Sequence, residues 1–539
     1  MEALESAWLG ERVLASDELL VVDKPVHIPV HGGGDEVGSV VERLTEYLTQ
    51  RGEPARLGVQ HRLDQDTSGV LLFTRDPKLD REIALAFSQH GFSRVYLAVV
   101  DGTGLSDSGS MHCRLSALER GRVRVVSEGG KMARTRYRVL SRVGSRALVE
   151  LRPETGRTHQ LRVQLAQLGA PIVGDRLYGG AAAWRLMLHA HSLEVLGRRF
   201  EAELPPEFET ALRQTAPRRS PEQLRGRLRD AFNLRHSLTA QGDALRLVNG
   251  FGDGLPGIEV DHFSGWLVLA LSTQDSEDRR EEIVDLLMQL GAKGVYTKCR
   301  RRADQRKVDR DQAAPAEPDS GVAAPSPLWV QHGDLRLPVW LDGGMSTGLF
   351  LDQRRNRAVV RRMAAGKAVL NLFCYTGAFS VAAAAGGARQ ITSVDLSGRA
   401  LERARLSMAQ TAPDLDARFI KEDVFHYLGH AKRQGERFDL IVLDPPSFGT
   451  RGRRSTFSVD KDYGRLAQQC LELLGPGGSL LAVTNHRKTS LGRLRRVLRE
   501  AVAAAGRTPM QMKDARNGAD FPDGPDGPEP SKSVWIRLA

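Results

Sequence analysis

From Ala368 to Thr484 short apolar runs alternate with helical stretches, and this pattern restricts the fold more than any other part of the chain. Ala368–Leu372, Gln390–Val394, a run ending near Glu422-Asp423, Asp439–Leu443 and Ser479–Thr484 each read as a buried strand. The segments between them are long enough to return as helices. Strands joined by such crossovers lie parallel, so residues 339–539 are predicted to form an α/β, Rossmann-like domain. A sheet of this kind binds its ligand beyond the carboxyl ends of its strands. Those ends carry the loop Phe373-Cys374-Tyr375-Thr376-Gly377 and then Asp395, Asp423 and Asp444. Asp395 follows Gly377 by eighteen residues, about the spacing that sets an acid on a ribose, while the GxGxxG pattern of a dinucleotide site is missing from residues 339–539.

The 539 residues exceed what one hydrophobic core encloses, so further domains are expected upstream. In residues 1–213 strands outnumber helices and connections are short, which predicts an α+β domain with a mainly antiparallel sheet. There His61-Arg62-Leu63-Asp64 stands at a turn before the apolar run Val70 to Phe73, with a carboxylate at the lip of a buried strand. Arg94 to Val100 alternates as a strand bearing Tyr96, and Arg152 to Leu165 reads as a polar turn feeding a helix that bears Arg162. Residues 214–235 are basic and proline-bearing, and read as a linker able to touch phosphate. Residues 236–338 read as a small α+β subdomain, with a disordered insertion near 300–327 where Arg, Asp, Ala and Pro replace apolar periodicity.

A net charge of +11, spread along the chain, points to a polyanionic partner such as nucleic acid. The four cysteines (Cys113, Cys299, Cys374, Cys470) are far apart and form no CxxC, so neither a disulfide framework nor a zinc site is expected, and a reducing cytoplasm suits the chain. The acidic N-terminus is no signal peptide. Ala368 to Ala388 is uncharged over a membrane-spanning length, but Asn371, Thr376, Gly377 and Gly386-Gly387 suit strand, loop and helix better, and no membrane span is expected.

The first domain resembles RluA-type pseudouridine synthases. The resemblance rests on HRLD followed by Thr67-Ser68-Gly69, Lys24-Pro25, Tyr96, and the TGRTHQLR and PIVGD runs, and spans nearly all of residues 10–210. It implies Asp64 as the catalytic aspartate, Tyr96 as the active-site tyrosine and Arg162 as the arginine that pairs with the aspartate. Converting uridine to pseudouridine needs no cofactor, but an ionised carboxylate must meet the ribose, to attack the anomeric carbon or to take the 2′ proton. An arginine beside Asp64 favours that form. Arg62 would enter the space left by a flipped nucleotide. The family usually has glycine where His27 stands and lysine where Arg94 stands. His61, His159 and His189 are expected to position loops, and no metal is expected.

Residues 240–539 resemble class I S-adenosylmethionine methyltransferases. Gly348 to Arg357 (GLFLDQRRNR), NLFCYTGAFSV, DPPSF and GFGDGLPGIEVD are similar to the bacterial rRNA methyltransferase families RlmI and RlmKL. This implies S-adenosylmethionine as cofactor, with its ribose on Asp395, its adenine amino group on Asp423 and its methionine end on Phe373 to Gly377, including Tyr375 and Thr376. Asp444 falls at the target-base end, with Phe448 to stack on the base. Methylating carbon 5 of a pyrimidine needs a cysteine nucleophile, and Asn485 stands where the RlmI pattern has it, as in the RlmK half, which forms 7-methylguanosine. That leans to a guanine nitrogen. The expectation is a bifunctional enzyme acting on RNA, most readily rRNA. Its alternatives are an RNA-binding or ribosome-assembly factor with only the first half active, or 5-methylcytidine formation in the second.

Overall fold

The computed structural model describes residues 12–32, 38–88, 92–102, 104–119, 121–214, 220–300, 314–342, 344–446, 448–451, 455–522 and 531–539. They fall into two compact units, one running to Ser237 and including Phe251–Gly254, the other formed by most of the residues from Leu238 onward.

In the first unit an eleven-stranded, mainly antiparallel sheet has the order Val13–Ser16, Leu19–Lys24, Ser68–Thr74, Leu188–Val195, Phe92–Asp101, Arg146–Pro153, Lys131–Val143, Ser108–Leu115, Val125–Val126. Gly58–Val59 and Arg198–Glu201 pair at its sides. The strand after the HRLD turn, Ser68–Thr74, is buried along its whole length, as its unbroken apolar run requires. It runs parallel to Leu188–Val195, with Gly69 opposite Ala190, and Ala190 in turn faces Tyr96. Two neighbouring seams therefore bring the Asp64 turn and the Tyr96 strand to one place. The seam admits only glycine: φ at Gly69 is +113°, and a Cβ there would lie 2.2 Å from the Ala190 carbonyl oxygen.

Two expectations are corrected. Residues 214–235 are not a free linker, because Pro221–Leu234 is a helix whose start is fixed by a Ser220/Gln223 capping box. Its apolar stripe, Leu224, Leu228, Ala231 and Phe232, is buried. Arg227 pairs with Glu207 instead of facing solvent. The second concerns the insertion expected near 300–327: residues 301–313 lie outside those described, but 314–327 are described, and Ser320–Gly321 pairs as a strand with Gly294–Val295.

The second unit begins with a small sheet ordered Ala244–Asn249, Ile258–Phe263, Trp266–Leu271, Gly294–Cys299, Ser320–Gly321. Its main sheet has seven strands, here β1 (Ala368–Leu372), β2 (Gln390–Asp395), β3 (Ala417–Lys421), β4 (Phe438–Leu443), β5 (Leu474–Thr484), β6 (Pro509–Ala515) and β7 (Lys532–Leu538). They lie in the order β3-β2-β1-β4-β5-β7-β6. β1 to β5 are joined by parallel pairings, and β7 is antiparallel to both neighbours. Buried side chains cover both faces. Strand order reverses between β1 and β4, where a doubly wound sheet opens its binding crevice.

Gly69→Ala is expected to destabilise the first unit by about 3 kcal/mol or more, since it adds both a clash and a strained φ. A lowered urea midpoint for that unit, with the unfolding of the second unit unchanged, is the measurement.

Candidate active sites

Arg162 lies in the helix Gln160–Gln167 and is 4% exposed. Its guanidinium forks onto Asp175, Nε to Oδ2 at 2.8 Å and Nη2 to Oδ1 at 2.9 Å. The remaining nitrogen, Nη1, stands 3.5 Å from Asp64 Oδ2. The arginine expected to pair with Asp64 thus has Asp175 as its main partner and meets Asp64 at its edge. Burial opposes its charge, but the carboxylates of Asp175, Asp64 and Asp66 outweigh that and raise its pKa, so Arg162 keeps its charge at any working pH. Tyr96 is buried beside them; burial raises its phenol above the ordinary value, Asp64 adds to the shift, and Arg94 opposes it. Arg62 is exposed at the turn.

The departures at His27 and Arg94 have local explanations. His27 adopts φ +67°, a conformation that favours glycine, and its ring is held 3.2 Å from Asp66 and edge-on to Trp184. Burial opposes ionisation of Asp66, but the hydrogen bond and charge of His27, with Arg162 and Lys24, bring its carboxyl to about 2. Arg94 donates to the Thr155 carbonyl and steadies the TGRTHQLR turn. Lys24 is fully buried and donates from Nζ to the carbonyls of Pro25, Ile28 and Gln65 at 2.8, 2.8 and 3.0 Å, which ties the residue after Asp64 to the opposite loop. Burial lowers its ammonium to about 7, against the charges of Asp66 and Asp64. His61 takes the backbone N–H of Leu72 on Nε2, a loop-holding role.

In the second unit a cavity of about 720 Å³ opens at the carboxyl ends of β1, β2 and β4. It gathers Phe373, Tyr375, Thr376, Asp395, Asp423, Asp444 and Asn485 from loops far apart in sequence. Gly377 is not on its wall. It caps the helix Ala378–Ala385 at φ +79°, and a Cβ there would meet Ala404 Cβ at 2.8 Å, so helix packing demands the glycine. Phe373 and Tyr375 also have positive φ, +56° and +49°, backbone strain of the kind that marks binding loops. Asp395 secures that loop, its carboxylate accepting from the backbone N–H of Tyr375 (2.9 Å) and of Ser397 (2.8 Å). Asp423 caps the helix Val424–Arg433, accepting from Phe425 and His426. The side chain of Phe448 lies outside the described residues.

The cavity also holds residues that sequence reasoning missed: Phe350, Asp352, Gln353, Arg357, Glu422 and Ser531. The first four belong to the GLFLDQRRNR run, which was the available signal. Burial, with Asp352 adding and Arg357 opposing, raises the Asp444 carboxyl to about 7. Two carboxylates facing a single guanidinium resist ionising together.

The chain thus carries two candidate centres, one in each unit, and each unit matches a family of enzymes. Residues 246–527, more than half of the chain, match the family of S-adenosylmethionine-dependent methyltransferases, and residues 18–167 match RNA pseudouridylate synthases. The chain belongs to the S-adenosylmethionine-dependent methyltransferase family and carries a pseudouridylate synthase domain before it in sequence. It is 36% identical over 282 residues to ribosomal RNA large subunit methyltransferase I of Klebsiella pneumoniae, covering 52% of this chain and 70% of that protein. The enzyme of the same name from Cronobacter sakazakii is 35% identical over 285 residues, with the same coverage of 52% and 70%. The crystal structure of SMU.776 complexed with SAH superposes with a TM-score of 0.53 at 27% identity, covering 64% of this chain and 87% of that one.

The residues present fit S-adenosylmethionine. Acceptors at Asp395 and Asp423 suit ribose hydroxyls and an adenine amino group, rings at Phe350, Phe373 and Tyr375 offer faces for the base, and the cavity is of a size that encloses such a ligand.

Because the raised Asp444 favours its neutral form, the second unit is expected to lose stability as pH rises from the ordinary carboxyl value of 3.8 to about 7, and Asp444→Asn removes that part of the slope. Asp352→Asn takes away a charge that raises Asp444, so the titration midpoint moves to lower pH. Carbon-13 NMR of the aspartate carboxyls follows both.

Proposed function

We propose that the chain modifies RNA twice, isomerising uridine to pseudouridine in its first unit and methylating a base in its second. The observation carrying the first half is the half-buried Asp64 carboxylate beside the permanently charged Arg162, with the buried Tyr96 phenol close enough to feel the charge of Asp64. Once a uridine is flipped out, with Arg62 filling its place, Asp64 meets the ribose. The carbon–nitrogen glycosidic bond breaks and the ring is rejoined through carbon 5. That carbon gives up its proton and nitrogen 1 gains one, so nothing is added or removed. Tyr96, kept protonated by burial, supplies a stacking face and a hydroxyl for the proton relay.

In the second unit Asp395, Asp423 and the loop Phe373 to Gly377 hold S-adenosylmethionine, which supplies an electrophilic methyl group. Asp444, Asn485 and Phe448 fix the target base. The relatives' names suggest large-subunit rRNA as the substrate. Among the described residues Cys374 is the one cysteine on the cavity wall, and burial raises its thiol well above the ordinary value, which makes it a poor nucleophile. Cys470 is fully buried in the core and raised likewise. This supports methylation at a guanine nitrogen, whose lone pair needs alignment and no covalent step.

Asp64→Asn is expected to reduce pseudouridine formation by about 10⁴-fold and leave methylation intact, and Asp444→Ala to do the reverse. Mass-spectrometric nucleoside analysis of the reacted rRNA reads both, and loss of both products from a folded Asp64→Asn protein refutes two independent sites. Replacing all four cysteines with serine should leave methylation in place; its loss would establish a thiol nucleophile and 5-methylcytidine.

A further inference from the structure

His159 precedes the Arg162 helix with a left-handed backbone, φ +54°. A non-glycine residue holds that conformation only where its surroundings fix it. Here they do: Nδ1 lies 2.8 Å from the Tyr178 hydroxyl, and the two rings meet edge to face with centroids 5.7 Å apart. Tyr178 is itself fixed, because its backbone N–H donates to Asp175 Oδ1 and its oxygen accepts the N–H of Val123 at 2.9 Å. That oxygen accepts from Val123, and among the described residues Nδ1 is the acceptor in reach of its single proton, which directs the hydroxyl to His159. Burial lowers the His159 pKa below its ordinary value, with Arg162 acting the same way and Asp64, Asp175 and Asp66 acting against. A neutral imidazole that accepts on Nδ1 carries its proton on Nε2. Nε2 stands 3.9 Å from Asp64 Oδ2, the oxygen that Arg162 approaches at 3.5 Å. Among the described residues Asp64 Oδ1 takes part in no hydrogen bond, and Oδ2 is the oxygen that comes nearest both Arg162 and His159.

We infer that His159 is a positioning residue: with its tautomer directed by Tyr178, its Nε2–H and Arg162 Nη1 both face Asp64 Oδ2 and draw it to their side, so that Oδ1 is the oxygen presented to the ribose. The inference rests on the pseudouridine synthase reading of this site and adds which carboxylate oxygen reacts and what orients it. It also separates two roles for His159 that a single alanine variant would confuse. Glutamine places an amide N–H near the Nε2 position, whereas asparagine is too short to reach Asp64 but tolerates the left-handed backbone better.

The full chain is assayed on a large-subunit rRNA transcript labelled with tritium at uracil carbon 5, since pseudouridine formation releases that hydrogen. His159→Gln is expected to keep kcat within about threefold of wild type, and His159→Asn to lose about tenfold or more, with KM unchanged in both. Tyr178→Phe leaves the His159 backbone untouched and is expected to lower kcat, again at constant KM. Asparagine matching or exceeding glutamine, or Tyr178→Phe at wild-type kcat, would overturn the positioning role while leaving the activity assignment standing. Tritium release by Asp64→Asn equal to wild type, or none from either, would overturn the activity assignment and this inference with it.

Discussion

The first site depends on one buried ion pair, Arg162 with Asp175, whose two carboxylate oxygens meet two guanidinium nitrogens inside the domain. Two charges taken out of water gain little net stability from each other, but removing either strands its partner, so such a pair fixes position more than it adds strength. Position is what the site needs. Asp175 also accepts the backbone N–H groups of Leu177 and Tyr178, so the turn that presents the Tyr178 ring is built on the same carboxylate. From that anchor the helix, the turn and the edge of the guanidinium all converge on Asp64. The acid itself stays partly exposed, as a group that must reach a nucleotide has to.

The second site is organised differently. The reversal of strand order between β1 and β4 leaves a gap, and loops close round it. Asp395 does two jobs there. Its oxygens hold the backbone at Tyr375 and Ser397, and the same carboxylate faces the cavity. The conformation of the loop from Phe373 to Gly377 is therefore tied to the group that would hold the cofactor ribose.

Much of this was legible in the sequence because it is written locally. Strand-end acids and the parallel βα pattern are set by near neighbours in the chain. What escaped depends on distance or on competing signals. Nothing near Arg162 announces Asp175 as its main partner, since the pairing is made by the fold, although the PIVGD run contained the residue. The helix Pro221–Leu234 was hidden by its arginines: read by charge it is a linker, whereas the Ser220/Gln223 cap and the Leu224/Leu228 spacing identify it correctly. Asp352 and Arg357 lay in a recognised run, but a run does not say which of its side chains turn toward a cavity formed by strands later in the chain.

The left-handed backbone at Phe373 and Tyr375 has an evolutionary consequence. Each residue sits where glycine would be more comfortable, so mutation toward glycine at either position relieves backbone strain. Such a chain would lack the rings that wall the pocket, and at Phe373 also the packing of the ring against the core. Backbone comfort is thus set against what the rings do, and a lineage released from selection for binding would show the change at Tyr375 first, where the ring is not part of the core.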